Sequence, residues 1–233
     1  MKKEFIDTFK YPLLFVIGLT LIHFYSSLYE IKLTQWGVYP REKNGLFGIL
    51  SYTFIHSSWQ HLFNNAVPLL VLGTALFHFY KKLALRVCFY SLLFTGILVW
   101  LGGRASFHIG ASGLVYALAS FLFFSGFIRK NKHLMALSMT IVFLYGGMVW
   151  GIFPVKEQIS WEGHLFGAIN GLFWAQYYKD EGPQRKKYSW EIEEEVLKSL
   201  DGIEVFYEDI SRTQKEHKYV DIKYDFKRKK LNK

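Results

Sequence analysis

An apolar stretch at residues 111–128 reads Ala111-Ser-Gly-Leu-Val-Tyr-Ala-Leu-Ala-Ser-Phe-Leu-Phe-Phe-Ser-Gly-Phe-Ile128. It contains no charged residue, and an apolar stretch of this length is typical of a helix that crosses a membrane. Outward from it, five more apolar stretches of similar length follow one another along the chain: 11–29, 60–79, 83–101, 134–153 and 160–178. Six helical crossings are therefore predicted, because backbone polar groups cannot remain unpaired in lipid.

The composition changes near residue 180. Of the 233 residues 51% are hydrophobic and 19% aromatic, but charged side chains crowd the last part of the chain. We therefore predict an all-α membrane protein with a six-helix transmembrane domain at residues 1–179 and a charged cytoplasmic tail at residues 180–233. The first apolar stretch is too long for a signal peptide and is interpreted as a retained span.

The net charge of +9 might indicate nucleic-acid binding, since basic proteins gain affinity by releasing counterions from phosphates. We reject nucleic acid as a partner, because the lysines and arginines lie between the spans and in the tail. Positive loops remain in the cytoplasm during membrane insertion. The distribution favours a multi-pass protein of the cell membrane with both termini in the cytoplasm. Cys88 is the single cysteine, so the chain has no intramolecular disulfide.

One group of small residues surrounds a serine. Gly110-Ala-Ser-Gly113 follows the glycine-rich segment at residues 102–109 and begins the stretch quoted above. A serine at the start of a helix lies beside unpaired N–H groups that favour a developing negative charge. The alternative interpretation is an ordinary helix start, with Ser112 as the N-cap residue.

A second group contains a histidine and two glycines. Trp161-Glu-Gly-His164-Leu-Phe-Gly167-Ala-Ile-Asn-Gly171 places His164, Gly167 and Gly171 on one face of a helix. Glycines on that face allow a neighbouring helix backbone to approach closely. His164 could be a structural histidine, but a neutral imidazole also supplies the base that a serine nucleophile needs.

The third group lies at the start of the second span. In His56-Ser-Ser-Trp-Gln-His61-Leu-Phe-Asn-Asn65, His61 and Asn65 are four residues apart and share a helix face. Both side chains can donate hydrogen bonds to an oxyanion. A metal site is the weaker hypothesis, because no carboxylate stands at ligand spacing and no His-Glu-x-x-His sequence occurs. We expect no metal, and no nucleotide or flavin cofactor.

These three groups, in this order on the second, fourth and sixth spans, resemble the rhomboid family of intramembrane serine proteases. The resemblance covers residues 11–178 and implies a six-transmembrane-helix rhomboid-like bundle. It also implies that Ser112 is the nucleophile and His164 the base, with no third carboxylate. The residues implied to support the oxyanion or the base are His61, Asn65, Ala111, the Ser112 N–H and Tyr116, which packs on the histidine. Those implied to allow close packing are Gly110, Gly113, Gly167 and Gly171.

The function that the resemblance implies is endopeptidase cleavage of transmembrane protein substrates near the outer membrane face. The alternative is a catalytically silent rhomboid-like protein that binds membrane clients. A transporter would need a polar path to both faces, and the inner halves of the spans are too apolar for one.

Two features of the chain can be compared with the family pattern, the first outer loop and Glu162. Many members have a Trp-Arg pair in the first outer loop, whereas Trp36 is followed by Gly37 and Arg41 is not preceded by tryptophan. The family pattern also implies that Glu162 is a loop residue without a catalytic role. The first outer loop, between Glu30 and Trp59, is expected to be structured.

Overall fold

A computed structural model describes residues 2–155 and 159–200, and over those residues the protein is helical without a β-strand. The all-α prediction is therefore confirmed for this part of the chain. The α-helices, in chain order, are α1 Lys2–Leu28, α2 Gly48–Ser51, α3 Trp59–Phe79, α4 Ala84–Gly102, α5 Ser112–Ile128, α6 Lys132–Tyr145, α7 Trp161–Tyr177 and α8 Ser189–Leu200. A 3₁₀ helix, Gly146–Ile152, continues α6.

Helices occupy all six stretches that were predicted to cross the membrane. Within the described residues, four have the length and composition to cross it: Thr8–Leu28, Trp59–Phe79, Ala84–Gly102 and Lys132–Ile152. The helix α5 is apolar but has 17 residues, or about 26 Å at 1.5 Å per residue, slightly less than the hydrocarbon core. Crossing by α5 and α7, and thus the total of six, stays a prediction.

The helix α5 lies at the centre of the bundle. It packs against α7, α6, α3 and α4, and Leu118, Phe121 and Leu122 on it are almost completely buried. Large apolar side chains such as Phe143, 88% exposed, cover the outer helices instead. Many exposed apolar side chains on the outer helices are typical of a surface that contacts lipid. The central position of α5 means that residues at its start are surrounded by protein.

The first outer loop is structured, as predicted. Between α1 and α3 it forms α2 and three 3₁₀ helices, Leu33–Trp36, Lys43–Gly45 and Tyr52–Phe54. It contacts the segment that precedes Ser112 through paired backbone hydrogen bonds of Val38 with His108, 3.0 and 2.8 Å long. This pairing satisfies the backbone N–H and carbonyl of His108, whereas Gly102, Ala105 and Phe107 in the same glycine-rich segment stay exposed.

A buried arginine links the C-terminal end of α5 to that of α7. Arg129, directly after α5, is 5% exposed and donates to Ser125 Oγ at 2.7 Å, to Glu181 O at 3.0 Å and to Tyr178 O. Its guanidinium also lies 5.2 Å from the ring centroid of Tyr80. Because the last carbonyls of a helix lack partners within the helix, this arginine caps α7.

The chain divides after Lys186 into two compact units. In the second, the structure describes α8, which the sequence analysis did not predict, and an ion pair of 2.6 Å between Lys187 and Glu195. The part of the predicted tail at residues 201–233 lies outside the described residues. The predicted boundary between residues 179 and 180 stays a prediction.

Candidate active site

The serine and histidine singled out in the sequence contact each other. Ser112 is the first residue of α5, His164 lies in the first turn of α7, and the Oγ atom of Ser112 is 2.9 Å from Nε2 of His164. The N-cap position of α5 belongs to Ala111, so Ser112 is not the N-cap residue. Its hydroxyl is therefore free to bond the imidazole.

The other nitrogen of the imidazole is held by a backbone carbonyl. Nδ1 of His164 lies 2.9 Å from the oxygen of Gly151, in the 3₁₀ helix after α6. A carbonyl oxygen can only accept, so this bond requires the proton on Nδ1 and leaves Nε2 as an acceptor. In that tautomer Ser112 Oγ–H donates to Nε2. Gly151 thus takes the orienting position that a carboxylate occupies in a serine protease triad.

Tyr116 stacks on the imidazole. The two rings lie nearly parallel, at 8°, with their centroids 4.2 Å apart. The tyrosine hydroxyl donates to the oxygen of Met148 at 2.6 Å, which anchors α5 to the same 3₁₀ helix that orients His164. The ring of His164 therefore has a fixed plane as well as a fixed tautomer.

Glycines bring α5 and α7 into backbone contact. A Cβ atom added at Gly167 would lie 2.2 Å from the oxygen of Gly113, and one at Gly171 would lie 2.1 Å from the oxygen of Ala117. Ser120 Oγ adds a hydrogen bond of 2.6 Å to the oxygen of Ala168 across the same contact. This close approach is what brings the imidazole within reach of Ser112.

His61 and Asn65 lie beside the start of α5. A Cβ atom added at Gly110 would lie 2.6 Å from His61 Nε2 and 3.6 Å from Asn65 Nδ2. Gly110 has a φ of +105°, a conformation that side chains other than glycine rarely adopt. The side chains of α3 thus reach the backbone two residues before Ser112. Asn65 is 4% exposed and also donates from Nδ2 to the oxygen of His61 at 3.1 Å.

Sequence reasoning missed the role of His56 in the same region. Its Nε2 atom accepts a hydrogen bond of 3.4 Å from the N–H of Ala111, and its ring lies edge-on to His61 with centroids 5.0 Å apart. Burial, followed by the neighbouring His61 and His23, lowers the pKa of His56 to about 3. A neutral imidazole thus supports the turn that precedes the serine. No local pattern could have indicated this contact, because His56 and Ala111 are 55 residues apart in sequence.

A polar cluster joins the segments that precede Ser112 and His164. Arg104 pairs with the buried Glu162 at 3.5 Å and donates to Ile159 O at 2.6 Å. His108 bonds Ser160 Oγ at 2.5 Å, and its Nε2 bonds the oxygen of Arg104 at 3.1 Å. Burial is the main cause that lowers the pKa of His108. The sequence analysis assigned His108 no role, but here it fixes one loop to the other.

The expectation that Glu162 is a loop residue is wrong. It lies in the first turn of α7 and is 3% exposed. The free N–H groups and the positive end of the helix dipole favour a carboxylate at that position. With Arg104 as its partner, the carboxylate is directed toward the loop that leads to Ser112.

One cavity of about 710 Å³ brings the candidate residues together. Ser112, His164, His61, Asn65 and Tyr116 all line it. Arg104 and Ser57 at its wall add polar groups that can hold water. Within the described residues no group of three or more histidine, cysteine, aspartate or glutamate side chains is arranged to hold a metal ion. The cavity therefore brings a serine hydroxyl, an imidazole and several hydrogen-bond donors together around one open space.

Comparison with known proteins gives a consistent result. The family model of the Rhomboid domain matches residues 43–180. An uncharacterized protein of Mycobacterium tuberculosis is 33% identical over 204 residues, which cover 77% of this chain and 82% of that protein. An uncharacterized protein of Mycobacterium leprae is 34% identical over 188 residues, covering 72% of this chain and 73% of that protein. The matched region contains each candidate residue described above.

Proposed function

Because the chain belongs to the rhomboid family of integral membrane proteins, we propose that it is an intramembrane serine endopeptidase with a Ser112–His164 dyad. The observation that carries this proposal is the pair of hydrogen bonds of the imidazole, 2.9 Å to Ser112 Oγ and 2.9 Å to the Gly151 carbonyl. A serine is a weak nucleophile unless an adjacent base accepts its proton. Nε2 of His164 is in contact with the hydroxyl, and the Gly151 carbonyl favours the tautomer in which Nε2 can accept the proton. Both contacts support the proposed role of His164 as the base.

In the proposed reaction, Ser112 Oγ attacks the carbonyl carbon of the scissile peptide bond and its proton moves to His164 Nε2. The imidazolium still donates a hydrogen bond from its Nδ1–H to the Gly151 carbonyl, and this bond stabilises the positive charge. The tetrahedral intermediate then collapses, the C–N bond breaks and Nε2 returns the proton to the leaving amine. A water molecule, deprotonated by Nε2 in the same way, hydrolyses the acyl-enzyme and restores Ser112.

The oxyanion of the intermediate would be bound on the α3 side of the serine. Ser57 Oγ lies 3.2 Å from His61 Nδ1, and donation by that hydroxyl leaves the proton of His61 on Nε2. His61 Nε2, Asn65 Nδ2 and the Ser112 N–H at the helix start would then donate to the oxyanion. Each such donor contributes about 3 kcal/mol to transition-state stabilisation in serine proteases.

The proposed substrates are transmembrane segments of other membrane proteins, cut near the outer face. Lysines and arginines concentrate on the side that holds the N-terminus, so both termini are proposed to lie in the cytoplasm of a cell-membrane protein. Ser112 and the start of α7 then lie toward the outer face. A helix conceals its carbonyls in hydrogen bonds, so a substrate must unwind locally before Ser112 can reach one.

The test is cleavage of a tagged single-span substrate in liposomes, together with labelling by a fluorophosphonate. Ser112→Ala and His164→Ala should each lower cleavage at least about 10³-fold, because the dyad acts as one unit. Matched controls are Ser26→Ala, whose hydroxyl donates to His23 O within α1, and His133→Ala, an exposed histidine. Both should retain cleavage and labelling.

Two outcomes would redirect the proposal. Labelling of the wild type without cleavage means that the site is active and that the test substrate is wrong. Neither labelling nor cleavage, with a folded protein and several substrates, would support the alternative, a catalytically silent rhomboid-like protein that binds membrane clients.

A further inference from the structure

A second cavity, separate from the one around Ser112, opens between α1 and α4. Its volume is about 250 Å³, and no residue lines both cavities. Leu114 and Leu118 of α5 form its floor, while Pro12, Gly73 and Cys88 belong to the helices around it. Apart from the thiol, every lining side chain is apolar. We call this cavity the α1–α4 groove.

The groove exists because neither α1 nor α3 packs closely on α4. α3 packs on α1 and on α5, whereas α4 packs on α7 and on α5. Gly73 lets α1 lie close to α3, since a Cβ atom added there would be 3.0 Å from Cβ of Pro12. The space between α1 and α4 is left open at hydrocarbon depth. An apolar space offers water no hydrogen-bond partners, so lipid chains rather than water can fill it.

The chemistry of the groove wall favours one kind of occupant. Apart from Cys88, every lining residue presents only hydrocarbon. A flexible acyl chain can follow such a surface without leaving a polar group unpaired. An acyl chain gains little by leaving other lipid, so selectivity for one lipid must come from its headgroup.

Positive charge lies at one end of the groove. Lys81 and Lys82 form the turn between α3 and α4, and Lys10 is two residues before Pro12. All three are exposed, and within the described residues no carboxylate pairs with them. Arg86, at the same end, is already paired with Glu181 at 2.8 Å. Unpaired lysines at a membrane surface attract anionic headgroups.

We propose that the α1–α4 groove binds one acyl chain of an anionic phospholipid whose headgroup contacts Lys81, Lys82 and Lys10. The bound chain contacts Leu114 and Leu118, the second of which is six residues beyond Ser112 on the same helix. The site is independent of the proposed protease activity, so either proposal can fail without the other.

The test uses the full-length protein in phosphatidylcholine vesicles with a minor fraction of phosphatidylglycerol. A trace of either lipid carries a photoreactive diazirine on its acyl chain, and labelled peptides are identified by mass spectrometry. The phosphatidylglycerol probe should label the α3 and α4 peptides that contain Gly73 and Cys88 several-fold more than the phosphatidylcholine probe does. Lys81→Ala/Lys82→Ala should abolish that preference. The matched control, Lys179→Ala/Lys186→Ala, removes two other exposed lysines and should preserve it.

Three results would overturn the proposal. Equal labelling by both probes, or labelling spread evenly over all lipid-facing helices, means that the groove holds only bulk lipid. The single cysteine also reports a protein occupant, because Cys88 lines the groove. Efficient joining of two Cys88 thiols by a short bismaleimide, with no lipid labelling, would show that a second copy of the chain covers it.

Discussion

The imidazole of His164 is held on three sides, by Ser112, by the Gly151 carbonyl and by the stacked ring of Tyr116. A backbone carbonyl cannot be removed by mutation, but its position can be disturbed. In serine proteases, loss of the orienting group mainly lowers the rate of the chemical step because the histidine adopts the wrong tautomer. The same sensitivity is expected here around Gly151.

The first prediction concerns Gly151 and Tyr116 as a pair. A Cβ atom at Gly151 would lie 2.0 Å from Tyr116 Oη and 3.1 Å from His164 Nδ1. Gly151→Ala should therefore lower kcat on the order of 100-fold, since displacements of about 1 Å have effects of that size. Tyr116→Phe removes the nearest clashing atom, so the double variant should regain part of the loss. Cleavage rates of the four proteins form the cycle, and additive losses would contradict the prediction.

The second prediction concerns pH. The pKa of His56 is about 3 in the folded protein, against 6.5 as its ordinary value, because it is buried beside His61 and His23. The unfolded state therefore binds the proton more tightly. The contribution is fully present above pH 6.5, and as pH falls below that value the free energy of unfolding should decrease by up to ~1.4 kcal/mol per pH unit.

The measurement is the unfolding midpoint in detergent between pH 7.5 and 5.5. His56→Asn should flatten the decrease, because asparagine does not titrate. His133→Asn changes an exposed histidine and should leave the slope unchanged. Identical slopes for His56→Asn and the wild type would contradict the assignment.

At the scale of elements, the contact between α5 and α7 decides whether a serine and a histidine can form a dyad. Their distance in sequence is 52 residues, yet their reactive atoms are 2.9 Å apart. The backbone oxygen of Gly113 lies where a side chain at residue 167 would project. Glycine leaves only a hydrogen atom in that place. Two helices can approach this closely only where small residues face each other.

The third prediction concerns the contact between Gly167 of α7 and Gly113 of α5. Gly167→Ala places a methyl group 2.2 Å from the Gly113 oxygen, so α7 must move away and His164 moves with it. We expect cleavage to fall on the order of 100-fold and the free energy of unfolding to fall by about 1–3 kcal/mol. Gly18→Ala in α1 is the control, because a Cβ atom there has no neighbour within 4 Å. It should keep full activity, and an equally active Gly167→Ala would refute the role of the contact.

At the scale of the whole molecule, the candidate site lies within one compact unit. Every residue that lines the 710 Å³ cavity precedes Lys186, and the family match ends at residue 180. The fourth prediction is that a chain ending at Lys186 still inserts in membranes and cleaves the test substrate within about 3-fold of the full-length rate, a change of ~0.7 kcal/mol in activation free energy. The same truncation with Ser112→Ala should be inactive. Loss of cleavage by a folded truncated protein would contradict the prediction.

Local sequence was sufficient for the six long apolar helices, though not for α2 or α8, and for four residues that line the candidate site. Uncharged apolar stretches must become helices in lipid, because their backbone groups have no other partners. The stretch at residues 111–128 therefore becomes α5 within one residue at its start. Ser112, His164, His61 and Asn65 were selected because polar side chains at membrane depth are costly unless they function.

Sequence reasoning was less successful for residues whose importance depends on distant partners. Gly151, His56 and His108 received no role, although each holds a part of the site. A glycine that offers its carbonyl resembles any other glycine in sequence, and a buried histidine is recognised only once its neighbours are known. Glu162 was assigned to a loop from the family pattern, but it lies in the first turn of α7 and pairs with Arg104.

The pattern of residues along the chain was therefore enough to predict a bundle of apolar helices with a serine and a histidine near two helix starts. Hydrophobicity and backbone hydrogen bonding act over a few residues, so their pattern can be read along the chain. Three features could be recognised only in the folded protein: the hydrogen bond between Ser112 and His164, the tautomer set by Gly151 and the open groove between α1 and α4. Those features depend on how closely helices pack, which is set by side chains distant in sequence that meet only in the folded protein.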